Sequence, residues 1–301
     1  MLRHDTGSVT PTAVVTGGTG GIGCAVAVEL ARLGHRVLIV GRSVERGAAV
    51  LAELDAAGPG RAHALVRADL SSLPETARAA DQITGHTGRL DAAVLCAGVL
   101  STVAERTDED LERTFVLNYL SRYLLVRRLL PLLTEAPSGR VVLVANAGRY
   151  RDTLDLDDLR MHRGAVGLRV AGRSQFANDL LAVELAERVR GSRLEVTCVY
   201  PGLVATDVFR NARGLSRPAR AAANALQCLI AAPPVDAAVT PVFLAHDPGA
   251  VGLGGSFFGP GRRRRRIPDR VQRPDRRAAL WAASEDLVRP WLLAVAERRS
   301  S

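Results

Sequence analysis

Thr12-Ala13-Val14-Val15-Thr16-Gly17-Gly18-Thr19-Gly20-Gly21-Ile22-Gly23 is the stretch on which the fold turns. Its first five residues are β-branched or small, the composition of a buried strand. The glycines that follow permit a tight turn and let backbone approach a pyrophosphate closely. Residues 21–33 carry helical spacing, so the turn feeds a helix whose amino end offers unpaired N–H groups and a positive dipole to phosphate. A glycine-rich turn alone is a weak signal. Between a strand and a helix, at the head of a βαβ unit, it is a strong one for a dinucleotide.

The alternation continues outward from that turn. Strand-like runs at 36–40, 62–67, 92–96, 140–145 and 194–199 alternate with helical stretches at 44–57, 73–84, 108–133 and 171–190. This order predicts an α/β, doubly wound (Rossmann) parallel sheet flanked by helices. A helix near 235–246 and a strand at 256–258 bring the sheet to about seven strands, in a single domain spanning 1–301. Residues 1–11 read as a flexible N-terminus and 262–277 as an Arg-rich loop. A C-terminal helix is expected within 280–301, with Leu287, Trp291 and Val295 on one packing face.

Of the 301 residues, 47% are hydrophobic and only 4% aromatic, so Ala, Val and Leu must fill the interior. All 40 residues counted as Lys+Arg are arginine; the chain has no lysine. The net charge of +9 is concentrated in 262–277, where nine arginines face only Asp269 and Asp275. A solvated loop is the favoured reading, with a docking patch for an anionic partner or carrier protein as the alternative. No aromatic residue lies in the patch, which argues against single-stranded nucleic acid. No apolar run reaches the roughly 18 residues of a membrane span, and no leader with a basic start is visible. Cys24, Cys96, Cys198 and Cys228 are too dispersed for a metal site or a disulfide framework. The expectation is a cytoplasmic protein with no metal, no nucleic-acid partner and no membrane association.

The second strand ends Ile39-Val40-Gly41-Arg42-Ser43. A carboxylate here would hold a ribose 2′-hydroxyl; the chain has a cation instead. Arg42 can pair bidentately with a 2′-phosphate, with Ser43 or Arg46 assisting, which favours NADP(H) over NAD(H).

Further motifs resemble those of the short-chain dehydrogenase/reductase family over nearly the whole chain. The cradle Gly17, Thr19, Gly20, Gly21, Ile22 and Gly23 is similar to its cofactor turn. Asp69-Leu70 resembles its adenine-contacting pair, and Cys96-Ala97-Gly98 its Asn-Ala-Gly turn with Cys replacing Asn. Asn118 matches the helix asparagine that supports a proton relay. Pro201, Gly202, Val204 and Thr206 lie in a turn like the one that holds the nicotinamide carboxamide, and Leu280-Trp281 with Ser284-Glu285 points to the retinol-dehydrogenase-like branch. The resemblance implies a nicotinamide-dependent enzyme acting on a small molecule, as a homodimer or homotetramer.

The same resemblance exposes a loss. The family's catalytic serine position falls on Asn146. The register set by Ala177-Asn178 puts its tyrosine on Ala171 and its lysine on Gln175. Positions four apart on a helix share a face, and here that face carries a methyl group and an amide. A positioned general acid is worth about 10²–10⁴ in rate, roughly 3–5 kcal/mol of barrier. Gln175 can still donate to ribose hydroxyls and Asn146 to a substrate oxygen, but neither amide gives up a proton at neutral pH. Tyr150 is the first candidate for a replacement acid, followed by Tyr200 and by His162 in the charged stretch 149–169. Tyr123 and Arg127 repeat a Tyr-x-x-x-Arg spacing but are expected to pack outward.

Three functions follow: an oxidoreductase with a divergent acid; a redox-neutral cyclase, isomerase or dehydratase with the cofactor as a structural element; and a non-catalytic NADP-binding protein. Hydride transfer ranks first on the family resemblance alone; it needs mainly the cofactor orientation that the cradle retains.

Overall fold

The computed structural model describes residues 10–101, 103–163, 167–204 and 232–293. Strand β1 (Thr12–Thr16) is buried along its whole length. It pairs in parallel with β2 (Arg36–Gly41), which pairs with β3 (Ala64–Arg67). On its other side lie β4 (Ala92–Leu95), β5 (Gly139–Val144) and β6 (Leu194–Val199), also parallel. β7 (Phe257–Phe258) continues the parallel order, and β8 (Arg264–Arg265) closes the edge antiparallel. The order β3-β2-β1-β4-β5-β6-β7-β8 reverses direction between β1 and β4, and the carboxyl ends of those two strands form the crevice where such sheets bind ligands.

In chain order the helices are α1 (Gly21–Arg32), α2 (Val44–Ala57), α3 (Leu73–His86), α4 (Arg113–Phe115), α5 (Ser121–Thr134), α6 (Leu168–Arg188), α7 (Pro234–His246), α8 (Asp269–Gln272) and α9 (Pro274–Leu293). α1, α2 and α7 bury their apolar faces on one side of the sheet; α3, α5, α6 and α9 do so on the other. Local chemistry sets the starts. Ser43 caps α2 by accepting from the Arg46 N–H at 3.2 Å, and Ser72 caps α3 from Glu75 at 3.3 Å.

Three expectations change. The helix expected over 108–133 begins only at Arg113, because Asp110 adopts φ 58° and the Glu112 carboxylate caps the new start by accepting from the Phe115 N–H at 2.6 Å. Between α4 and α5 the chain makes a π turn, Val116–Leu120, of the kind that recurs at functional sites. Tyr123 does not pack outward. It is fully buried, edge-on to Trp281 at 5.0 Å, and its hydroxyl donates to Glu285 at 2.8 Å, because α9 covers this face of α5. Arg127 grips the same carboxylate through both terminal nitrogens, at 2.8 and 2.9 Å.

Residues 262–277 are the third change: they are not a solvated loop. The segment supplies β8, all of α8 and the first turn of α9, which starts at Pro274 rather than near 280. Arg265, Arg270 and Arg276 grip the chain after β5, while Arg262, Arg263, Arg264, Arg266 and Arg273 stay exposed. Arg265 donates to the Ala147 carbonyl at 3.3 Å. Arg270 donates to the carbonyls of Gly148 and Tyr150, both at 2.9 Å. Arg276 takes Asp152 bidentately at 2.9 and 3.0 Å, and Arg277 reaches Glu184. The planar guanidinium fork suits paired carbonyls and carboxylates in a way an ammonium does not.

Candidate functional site

The turn after β1 is built by backbone contact. Gly17 sits at φ 67° with its N–H on the Val40 carbonyl at 2.9 Å. A Cβ at position 23 would lie 2.4 Å from the Gly17 carbonyl oxygen, so a side chain there would push α1 off the turn. The cleft beside this turn, about 240 Å³, brings together Gly17, Thr19, Gly20, Gly21, Ile22 and Gly23 with Arg42, and across from them Asp69, Leu70, Cys96, Ala97 and Gly98. Arg46, Ala68 and Leu117 share its wall. The Arg42 side chain is 62% exposed and only loosely held, 3.9 Å from Asp69 Oδ2. Asp69 itself is committed: its Oδ1 accepts from Ser71 N–H and Oγ–H, and its Oδ2 from Arg113 at 2.9 Å. Burial pushes the Asp69 carboxyl up, but the Ser71 hydrogen bonds and the charges of Arg42 and Arg113 outweigh it and hold it below its usual range.

Other expected cofactor residues lie off this wall. The Ser43 hydroxyl is the cap of α2 and donates to Glu45. Asn118, buried on the π turn, holds Val99 at both ends, accepting from its N–H at 2.8 Å and donating to its carbonyl at 2.9 Å. It therefore shapes the strand-to-loop exit after β4 rather than the cleft itself. Pro201, Gly202 and Val204 follow β6, with Gly202 at φ 95° and the Leu203 carbonyl bonded to the Ala232 N–H. Thr206 and Cys228 lie outside the described residues.

The register argument for α6 has a physical counterpart. Asn178 Nδ2 donates to the Asn118 carbonyl and to the Ser174 carbonyl, both at 2.9 Å, which fixes the helix against the π turn. One turn earlier sits Gln175, whose Oε1 is buried without a hydrogen-bond partner, and two turns earlier Ala171, also buried. A polar atom in that state is costly unless a ligand satisfies it.

The three candidate acids stand in different places. The Tyr150 ring lies over Gly172, where a Cβ would meet it at 3.2 Å, so it borders α6 one residue from Ala171. Tyr200 is half-buried and carries the Arg149 guanidinium over its ring at 4.4 Å. His162 is exposed and sits 3.3 Å from the Asp110 carboxylate near the start of α4, which takes it out of the Tyr150 group.

Two charged residues that the sequence reading passed over bracket Asn146. Arg122, buried on α5, donates to the Val144 carbonyl at 2.9 Å and the Ala97 carbonyl at 2.7 Å, tying the end of β5 to the turn after β4. Burial pulls its guanidinium down to about 10, against an upward pull from Cys96 and Cys198, so it stays cationic at neutral pH. Asp179, fully buried on α6, accepts from the Gly148 N–H at 2.9 Å. Burial pushes its carboxyl up to about 7, while the Gly148 N–H, the Cys198 thiol, Arg270 and Arg265 pull it down. Spacing held the signal: Arg122 lies four residues after Asn118, and Asp179 four after Gln175, each on the same helix face as its partner. No helix among the described residues is long and apolar enough to cross a membrane.

Comparison with known proteins agrees with this fold. The family model for short chain dehydrogenase matches residues 11–152. Mouse retinol dehydrogenase 14 is 30% identical over 287 residues, covering 92% of this chain and 85% of that protein. Mouse polyprenol dehydrogenase is 33% identical over 253 residues, covering 82% and 74%. Among solved structures, an uncharacterized protein from Mycobacterium paratuberculosis superposes with a TM-score of 0.70 at 26% identity, covering 93% of each chain.

Proposed function

The chain belongs to the short-chain dehydrogenase/reductase family, in its retinol-dehydrogenase-like branch, and from that membership we propose an NADP(H)-dependent oxidoreductase that acts on a small organic substrate without a Tyr/Lys proton relay. One observation carries the proposal: the glycine cradle has Arg42 at its rim, while α6 carries Ala171 and Gln175 at the positions where the family resemblance expects tyrosine and lysine. The glycine turn would hold the pyrophosphate, Arg42 with Arg46 the 2′-phosphate, and the unpartnered Gln175 amide a ribose hydroxyl. Once bound, the dinucleotide supplies or accepts hydride.

The chain's own groups then do the rest. Asn146 donates a hydrogen bond to the substrate oxygen, and the fixed charge of Arg122, held on the Val144 carbonyl two residues earlier, favours negative charge developing there. With no acid at position 171, the proton comes from Tyr150 or from solvent, and substrates that protonate easily suit the site best.

The test is turnover of retinoid and prenyl alcohols and aldehydes, with product and reduced nicotinamide followed together. The account requires one nicotinamide converted per product. Product formed with the nicotinamide unchanged would move the chain to the second reading, a redox-neutral cyclase, isomerase or dehydratase. The joint replacement at Asn146, Ala171 and Gln175 is what favours that alternative.

A further inference from the structure

Beside Tyr150 lies a second cavity of about 580 Å³. Its wall is apolar at Tyr150, Leu168 and Gly172, and its rim carries Arg149, Arg151, Arg169 and Arg173. Among the described residues none of these four guanidiniums forms an ion pair. The acids nearby are already used. Asp152 is gripped by Arg276, Asp155 lies 3.8 Å from Arg163, and Asp158 accepts from the backbone N–H groups of His162 and Arg163. The first turn of α6, which supplies Leu168 and Arg169, contains no carboxylate either. Two of the cations are held in place. Arg149 lies over the Tyr200 ring, and Arg173 sits against the Met161 sulfur.

Four like charges around one cavity repel one another, and each offers charge-assisted donors that no carboxylate of the described fold takes up. An apolar floor with a cationic rim matches one ligand chemistry, an organic anion with a hydrocarbon body. We propose that this cavity is the substrate-side pocket and that it selects substrates bearing a carboxylate or phosphate on an apolar body. The inference rests on reading the chain as an NADP(H) enzyme whose substrate enters beside Tyr150. The hydrocarbon body lies against Tyr150 and Leu168, and the anionic end meets the arginines.

Calorimetric titration with decanoate, decyl phosphate, 1-decanol and inorganic phosphate tests this, with NADPH titrated alongside. The wild-type protein binds decanoate or decyl phosphate at least ~10-fold more tightly than decanol, the range of one or two charge-assisted hydrogen bonds. R149Q/R169Q/R173Q brings that ratio to within about twofold and leaves NADPH affinity unchanged, whereas the charge-matched control R61Q/R78Q/R190Q keeps the wild-type ratio. Preference for one anionic probe over the other tells carboxylate from phosphate. Decanol binding as tightly as decanoate overturns the proposal. So does inorganic phosphate binding as tightly as decyl phosphate, or a control triple losing as much selectivity as the pocket triple. Loss of NADPH binding in the wild-type protein would instead overturn the function on which the proposal stands.

Discussion

Ala171 and Gln175 carry the chemical argument at the scale of single residues. Both lie on α6, which Asn178 pins to the π turn, so the methyl group and the amide belong to a well-fixed helix segment. If only the proton relay has been lost, replacing it should restore ordinary carbonyl chemistry. The double variant A171Y/Q175K is expected to reduce simple aldehydes with NADPH roughly 10²-fold or more faster than wild type, with a new basic limb in its pH–rate profile. Asp179 gives a second prediction. Its folded pKa, about 7, lies above the unfolded carboxylate value, so the native state holds the extra proton between those values and stability falls as pH rises through that window. D179N keeps an acceptor for Gly148 N–H without the charge. Its melting temperature should therefore gain on wild type as pH rises from 4 to 7, by roughly 1–3 kcal/mol in stability, and stay level above that. A constant offset across the range would refute the raised pKa.

At the scale of elements, the sequence was legible wherever one period ruled. β1, its glycine turn and α1 lie where the residues place them, and so does every other parallel strand to within about two residues of its expected ends. The cradle residues converge for the same reason, since strand, turn and helix are contiguous in the chain. The failures were tertiary. Nothing in the local pattern of 262–277 announces that its arginines will meet carbonyls of a turn more than a hundred residues away, and a run of charges reads as solvent-exposed until those partners are known. Tyr123 was misread likewise, because the face of α5 that looked free is the one α9 covers. The Arg127–Tyr123–Glu285 clamp gives Ser284-Glu285 a structural meaning, and its loss is measurable. E285A leaves the buried Tyr123 hydroxyl only the Trp281 carbonyl at 3.4 Å and removes the Arg127 carboxylate partner, which should cost about 1–3 kcal/mol and lower the melting temperature by several degrees with NADPH affinity intact.

At the scale of the whole molecule, the sheet does two things at once. Its switch point between β1 and β4 opens the cofactor cleft, and its far edge, β7 with β8, delivers the arginine segment over the turn that holds Asn146 and Tyr150. The cleft is lined by the glycine turn and Arg42, and the turn after β5 is gripped by Arg265 and Arg270. The most direct test is an equilibrium titration of NADPH and NADH, followed by the fluorescence of the reduced nicotinamide, in wild type and in R42Q. The account predicts NADPH bound at least ~10-fold more tightly than NADH by the wild-type protein, and near parity in R42Q. Equal affinities in wild type, or a preference that survives in R42Q, would contradict it.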